Sequence, residues 1–201
     1  MWGNYGQPGV PGLMPMPPAR TNSGLRITAV VLLVLVATLT LGGSFAPLLV
    51  YTSQYGAGGS LSTIRWTAWT AVEEPRSDTS YNQPLDGITL AVGIVLVVAA
   101  VVILLTTGRR IRVLGRSAGV GAAALLVGAI AQTMLQSLST LRGQVRYSAQ
   151  NPDSKLLWDM YFGGGAYLLI GAALCAVAAA VLLLISARSE SPRPAGYAVR
   201  P

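Results

Sequence analysis

The chain has 201 residues, 52% of them hydrophobic and only 10% charged, where a water-soluble domain carries about 25% charged residues. That leaves too little polar surface to cover a water-facing globule. A net charge of +7 comes without any histidine, which removes the commonest metal ligand and the usual proton shuttle. The one cysteine, Cys175, excludes an intramolecular disulfide and makes a poor zinc set, so no metal, no cofactor and no catalytic residue is assigned.

Residues 1–25 open the chain as a Pro/Gly-rich tail, with prolines at 8, 11, 15, 17 and 18 and glycines at 3, 6, 9 and 12. Spaced Pro and Gly block regular structure, so a disordered tail with polyproline II character is expected. A transmembrane domain follows over 26–187, and 188–201 form a second, Pro-containing tail. The first apolar run, about Ile27 to Tyr51, is longer than the roughly 7–15 residues of a signal-peptide core, so it reads as a retained anchor. Its segment GGSFAP (Gly42 to Pro47) is expected to kink or loosen the final third of the helix.

A loop from about Thr52 to Gly87 comes next. Within it, Leu61 to Val72 (LSTIRWTAWTAV) alternates Ile64, Trp66, Ala68, Thr70 and Val72, which suits a strand or hairpin arm. Trp66 and Trp69, three apart, would equally share one face of a short interfacial helix. Both alternatives stay open. Glu73, Glu74, Asp78 and Asp86 meet no calcium or acid–base spacing and read as a solvated acidic loop.

The second span covers about Ile88 to Thr107 and the third about Ser117 to Leu141. Between them GRRIRVLGR carries Arg109, Arg110, Arg112 and Arg116. The third span holds a four-residue repeat of Ala124, Gly128, Gln132 and Gln136 on one face. A primary amide is costly in hydrocarbon unless paired, so this stripe should face the bundle or a protein interface. In NPDSKLLWDMYFGGG, Asn151 and Pro152 read as the cap and first residue of a fourth helix. That helix would carry Leu156, Leu157 and Trp158 through the interface into a span of about Phe162 to Ala187. Its stripe of Gly163, Tyr167, Gly171, Cys175 and Ala179 should pack closely on the third span, with Cys175 a small packing residue.

All four spans lack Asp, Glu, Lys and Arg between their ends, and each reaches the roughly 20 residues that cross a bilayer. Period-two alternation is absent from them, so helices are the remaining way to satisfy the backbone in lipid. The expected fold is an all-α integral membrane protein, a four-helix bundle with one larger outer loop. With both termini inside, the cytoplasmic side has nine basic residues against one acid, and the outer side five against six. Short Arg-rich loops stay in the cytoplasm, which orients the chain. The four-arginine loop would also attract anionic lipid head groups, and it is too short to read a nucleic acid. Trp66, Trp69 and Trp158 form an expected outer aromatic patch at head-group level.

Four spans with a larger first outer loop resemble the tetraspan layout of claudins. Trp66 and Trp69 stand in that loop, while the claudin Gly-Leu-Trp and disulfide pair are missing, so the agreement is one of layout. Small multidrug transporters share the helix count but rely on an intramembrane glutamate that this chain lacks. In its Pro/Gly-rich start, Arg-over-Lys bias and Ala/Val/Leu spans the chain is similar to small integral membrane proteins of actinobacteria such as mycobacteria. That resemblance implies an accessory subunit of an envelope or transport complex in a bacterial plasma membrane. The expected partners are the bilayer and other membrane proteins or a second copy. The alternative is a small self-assembling transporter or channel component using the Gln132/Gln136 face.

Overall fold

The computed structural model describes residues 23–55, 59–74, 81–82, 84–106, 112–150 and 156–189. The two tails, the Asn151–Pro152 cap and the side chains of Arg109, Arg110 and Arg112 lie outside the described residues. Four helices and five strands follow in the order α1 (Ser23–Phe45), β1 (Leu49–Tyr55), β2 (Leu61–Trp66), β3 (Thr70–Glu74), β4 (Tyr81–Asn82), α2 (Pro84–Thr106), α3 (Arg112–Gln150), β5 (Leu156–Phe162) and α4 (Gly164–Ser189). Each helix contains a stretch long and apolar enough to cross a membrane, from Gly24–Phe45, Asp86–Thr106, Val113–Tyr147 and Gly164–Ala187. The bundle also presents large apolar side chains outward on every helix, among them Val31, Val95, Leu125 and Leu174, each at least 60% exposed. A bundle in water would not leave so continuous an apolar surface uncovered, whereas lipid accepts it.

The all-α expectation is corrected by a five-stranded antiparallel sheet, in the order β4-β3-β2-β1-β5, at one end of the helices. The strand alternative holds for Leu61 to Val72, which folds as the β2–β3 hairpin rather than an interfacial helix. β-Branched and aromatic residues at alternate positions fit a pleated, half-buried surface better than a helix. The first apolar run also divides. It is helical only to Phe45, and Pro47, which has no backbone N–H to give a helix, precedes β1, where Tyr51 lies. The expected helical entry of Leu156, Leu157 and Trp158 is corrected too. They form β5, which pairs with β1 from Leu49↔Phe162 to Tyr55↔Leu156. Helical propensity loses there to seven consecutive ladder positions on a strand more than a hundred residues away.

The glycines that were expected to loosen α1 instead join it to α4. A Cβ on Gly165 would lie 2.5 Å from the Ala46 carbonyl oxygen and 2.8 Å from that of Gly43, and one on Gly163 would overlap the Pro47 carbonyl. Only glycine lets the two backbones meet this closely. The Gly165 N–H donates to Pro47 O at 2.9 Å and the Gly163 N–H to Leu48 O at 3.0 Å. Donors at the start of α4 that no helical carbonyl can reach are thereby satisfied by the chain leaving α1.

At the other end of the bundle Gly119 of α3 faces Leu183 of α4, Leu104 of α2 and Leu33 of α1. Leu33, Val36, Leu90, Val97, Leu126, Leu169, Ala172, Ala176 and Ala179 fill the space between these levels, none of them accessible to solvent. Buried hydroxyls in the helices bond back one turn, as Thr40 Oγ1 does to Val36 O at 2.8 Å and Thr133 Oγ1 to Ala129 O at 3.1 Å. Such residues satisfy themselves within their own helix.

Candidate functional site

Two places gather the chain's polar groups: the outward face of α3, and the junction where the sheet meets α2 and α3. Of the helix-packing stripe read from the sequence, Gln136 ties α3 to α2 through Asp86, while Gly128 and Gln132 meet no other helix. Gly128, Gln132 and Gln136 all lie on the exposed side of α3, and nothing comes within 4 Å of where a Gly128 side chain would begin. α3 meets α4 through Gly119 instead. Further along, an apolar groove of about 260 Å³ opens between the two helices, bounded by Val127, Ile130 and Met134 on one side and Ile170, Leu174 and Val177 on the other. On α4 the expected stripe holds in part, with Gly163 and Ala179 buried and Cys175 packed against the core. Tyr167 is 67% exposed, while Ala166, Leu169, Ala172, Ala176, Ala179 and Leu183 form the buried face at helical spacing. Gly171 lies near Leu39 of α1, and Cys175 is half-buried and free.

Of the four arginines between α2 and α3, Arg116 is buried rather than offered to a surface. It follows Gly115, whose missing side chain leaves room for Ile103 and Leu104 of α2. The tryptophans separate into different roles. Trp69 lies in the β2–β3 turn, stacked on Phe45 at 5.7 Å between ring centres, with its indole N–H donating to Ser44 Oγ at 3.3 Å. Gly87 of α2 has no side chain because the Trp69 ring occupies that space. The turn is held by Thr67 Oγ1, which accepts from the N–H groups of Trp69 at 3.2 Å and Thr70 at 3.0 Å. Ala68 N–H then donates to Ser44 O at 3.2 Å. Trp69 is therefore a wedge that fixes the hairpin on α1 and α2. Trp66 and Trp158, by contrast, share the face of the sheet that also carries Tyr51, since Leu49 pairs with Trp66 and Ser53 with Trp158 in register. The Trp66 and Tyr51 rings are 6.2 Å apart and tilted.

The acids do not form one solvated loop. Glu73 accepts from Ser62 Oγ at 2.8 Å across the β2–β3 ladder, and Glu74 pairs with Arg65 at 3.5 Å in the open. Asp78 lies outside the described residues. Asp86 belongs to the first turn of α2 and is half-buried. With the Gln136 amide oriented so that its nitrogen faces the carboxylate, that nitrogen donates to both Asp86 oxygens, at 2.6 and 2.8 Å. The two residues stand 50 positions apart, and sequence periodicity shows no such partnership. The one available signal was that each needs a partner near the same end of a bundle. Their pair forms one side of a cavity of about 230 Å³, closed by Leu48, Leu49, Trp66 and Thr67 from the sheet side and by Ser137 and Thr140 from α3.

Among the described residues no group of three or more His, Cys, Asp or Glu side chains could hold a metal ion. No protein-family model matches the chain, and no curated protein matches it in sequence.

Proposed function

We propose that this chain is a non-enzymatic four-span subunit of the bacterial plasma membrane that binds another membrane protein through the outward face of α3. The sheet would lie outside and both termini in the cytoplasm, where nine basic residues face one acid. The side chains of Arg109, Arg110 and Arg112 would meet anionic head groups there. The observation that carries the assembly role is Gln132. It is a primary amide on an exposed position of a membrane helix, in line with Ala124 and Gly128, which present almost no side chain.

An amide with no partner in hydrocarbon is costly, and small residues beside it let a second helix approach closely enough to supply one. A transport path through a single copy would need room between the helices, and that space is filled by Leu33, Leu90, Leu126 and Leu169. Any path along the Gln132/Gln136 face would run between copies or between this chain and a partner.

The test is purification of the tagged full chain from native membranes in mild detergent, in parallel with Gln132→Leu. A stoichiometric partner that is lost from the variant, while the variant stays folded, supports the reading. A discrete homo-oligomer lost in the same variant moves the role to self-assembly and to flux assays. A partner retained equally by both chains refutes the role of this face.

A further inference from the structure

The cavity at the sheet–helix junction adjoins the outward α3 face at Gln136, and its chemistry is that of a receptor for a cation. Both oxygens of Asp86 accept from the Gln136 amide, a neutral donor. The ion pair present among the described residues is Arg65–Glu74, and no described Arg or Lys reaches Asp86 within salt-bridge distance. Nor can the arginines of α3 turn toward it. At 3.6 residues per turn, Arg142 stands about 120° around the helix from Gln136, and Arg146, about 80° around, lies about 15 Å further along the axis. Ser137 and Thr140 stand within about 100° of Gln136 and line the cavity with it. A half-buried carboxylate answered by an amide and the N-terminal dipole of α2 meets no full positive charge, and a cation completes it. The indole of Trp66 forms part of the cavity wall, and Trp is the side chain whose face attracts ammonium groups best.

We propose that the Asp86–Trp66 cavity binds a primary ammonium group, with the carboxylate taking its charge, Thr140 and Ser137 its remaining N–H donors, and the indole its alkyl side. A volume of about 230 Å³ admits a small amine or the amino end of a lipid head group but not a large cofactor. Asp86 stands at the start of an apolar span, at the depth where an aminolipid head group would lie.

The experiment uses the purified full chain in detergent micelles doped with phosphatidylethanolamine, phosphatidylcholine or phosphatidylglycerol, with retained lipid read by native mass spectrometry. Ethylammonium chloride is titrated separately, with tryptophan fluorescence as the readout. Selective retention of phosphatidylethanolamine supports an aminolipid as the source. Saturable binding of ethylammonium without lipid retention supports a free amine. In either case Asp86→Asn, which keeps the size and one of the two contacts with Gln136, should weaken binding about tenfold or more. Trp66→Leu, a variant at the cavity wall, should weaken it about threefold or more. The proposal is overturned if wild-type protein binds neither probe or retains phosphatidylglycerol equally well. Binding that survives both substitutions overturns it too.

Discussion

Replacing Gly165 by alanine adds one methyl group where the structure has no room for it. The new Cβ would lie 2.5 Å from the Ala46 carbonyl oxygen and 2.8 Å from that of Gly43. Both are backbone atoms, so no rotamer change relieves the contact. α4 must withdraw from α1, and the 2.9 Å bond from Gly165 N–H to Pro47 O lengthens with it. Overpacking a filled interior costs about 1–3 kcal/mol, and backbone on two sides puts this case near about 3 kcal/mol. The control is Gly121→Ala on α3, where nothing lies within 4 Å of the added methyl. There alanine is the better helix former by roughly 0.5–1 kcal/mol and should stabilise slightly. Thermal unfolding of both variants in mild detergent, followed by tryptophan emission, should move the two midpoints in opposite directions. If Gly165→Ala melts with wild type, the α1–α4 junction is not as close as described. If both variants fall equally, the loss does not depend on the contacts at Gly165 and the close-approach argument fails.

Trp69→Ala removes the stack on Phe45 and the bond to Ser44, and should cost about 2–4 kcal/mol in the same assay, below the full value for a buried aromatic because the ring is half-exposed. Trp69→Phe keeps most of the ring and should cost about 1 kcal/mol through the lost indole N–H bond. Arg65→Ala should change the midpoint by less than about 1 kcal/mol, because the Arg65 and Glu74 side chains are 51% and 54% exposed. The midpoint of the wild type should be correspondingly insensitive to added salt. Gln132→Leu should leave the melting of the isolated chain within about 0.5 kcal/mol of wild type, since its amide touches no internal partner, and a large loss would place it inside the fold.

The number of spans was legible because it depends on composition over windows of twenty residues, and lipid tolerates few alternatives to an uncharged helix. Which way each helix faces was not. In a soluble bundle the polar stripe marks the surface, but in a membrane the outside is as apolar as the inside, so period 3.6 carries little contrast. The Gln132 stripe was therefore assigned to either the bundle or an interface, and the structure divides it, Gln136 meeting Asp86 of α2 while Gly128 and Gln132 face outward. On α4 Tyr167 was placed on the packing face for the same reason. Ala, Gly and Leu occur all round that helix, and burial is decided by where Gly43 and Gly165 let the backbones meet.

The sheet was half legible. The β2–β3 hairpin is local, its turn residues lie within four positions, and the alternation from Ile64 to Val72 made a strand one of two open alternatives. β5 could not be seen alone. Its seven residues contain no turn signal that separates strand from helix, and their state is fixed by β1, which follows α1. The same long-range closure explains the cavity. Asp86 looked solvated because its neighbours in sequence are Glu73, Glu74 and Asp78, yet folding separates it from Glu73 and Glu74. Glu73 and Glu74 remain on β3, while Asp86 starts a membrane helix and meets Gln136. An acid that opens an apolar span is thus a different object from an acid in a loop. It stands where backbone and bilayer limit its access to water, and the groups that answer its charge come from elements distant in the chain. The charge pattern from Glu73 to Asp86 is better read as two populations divided at Pro84, the first residue of α2, than as one acidic segment.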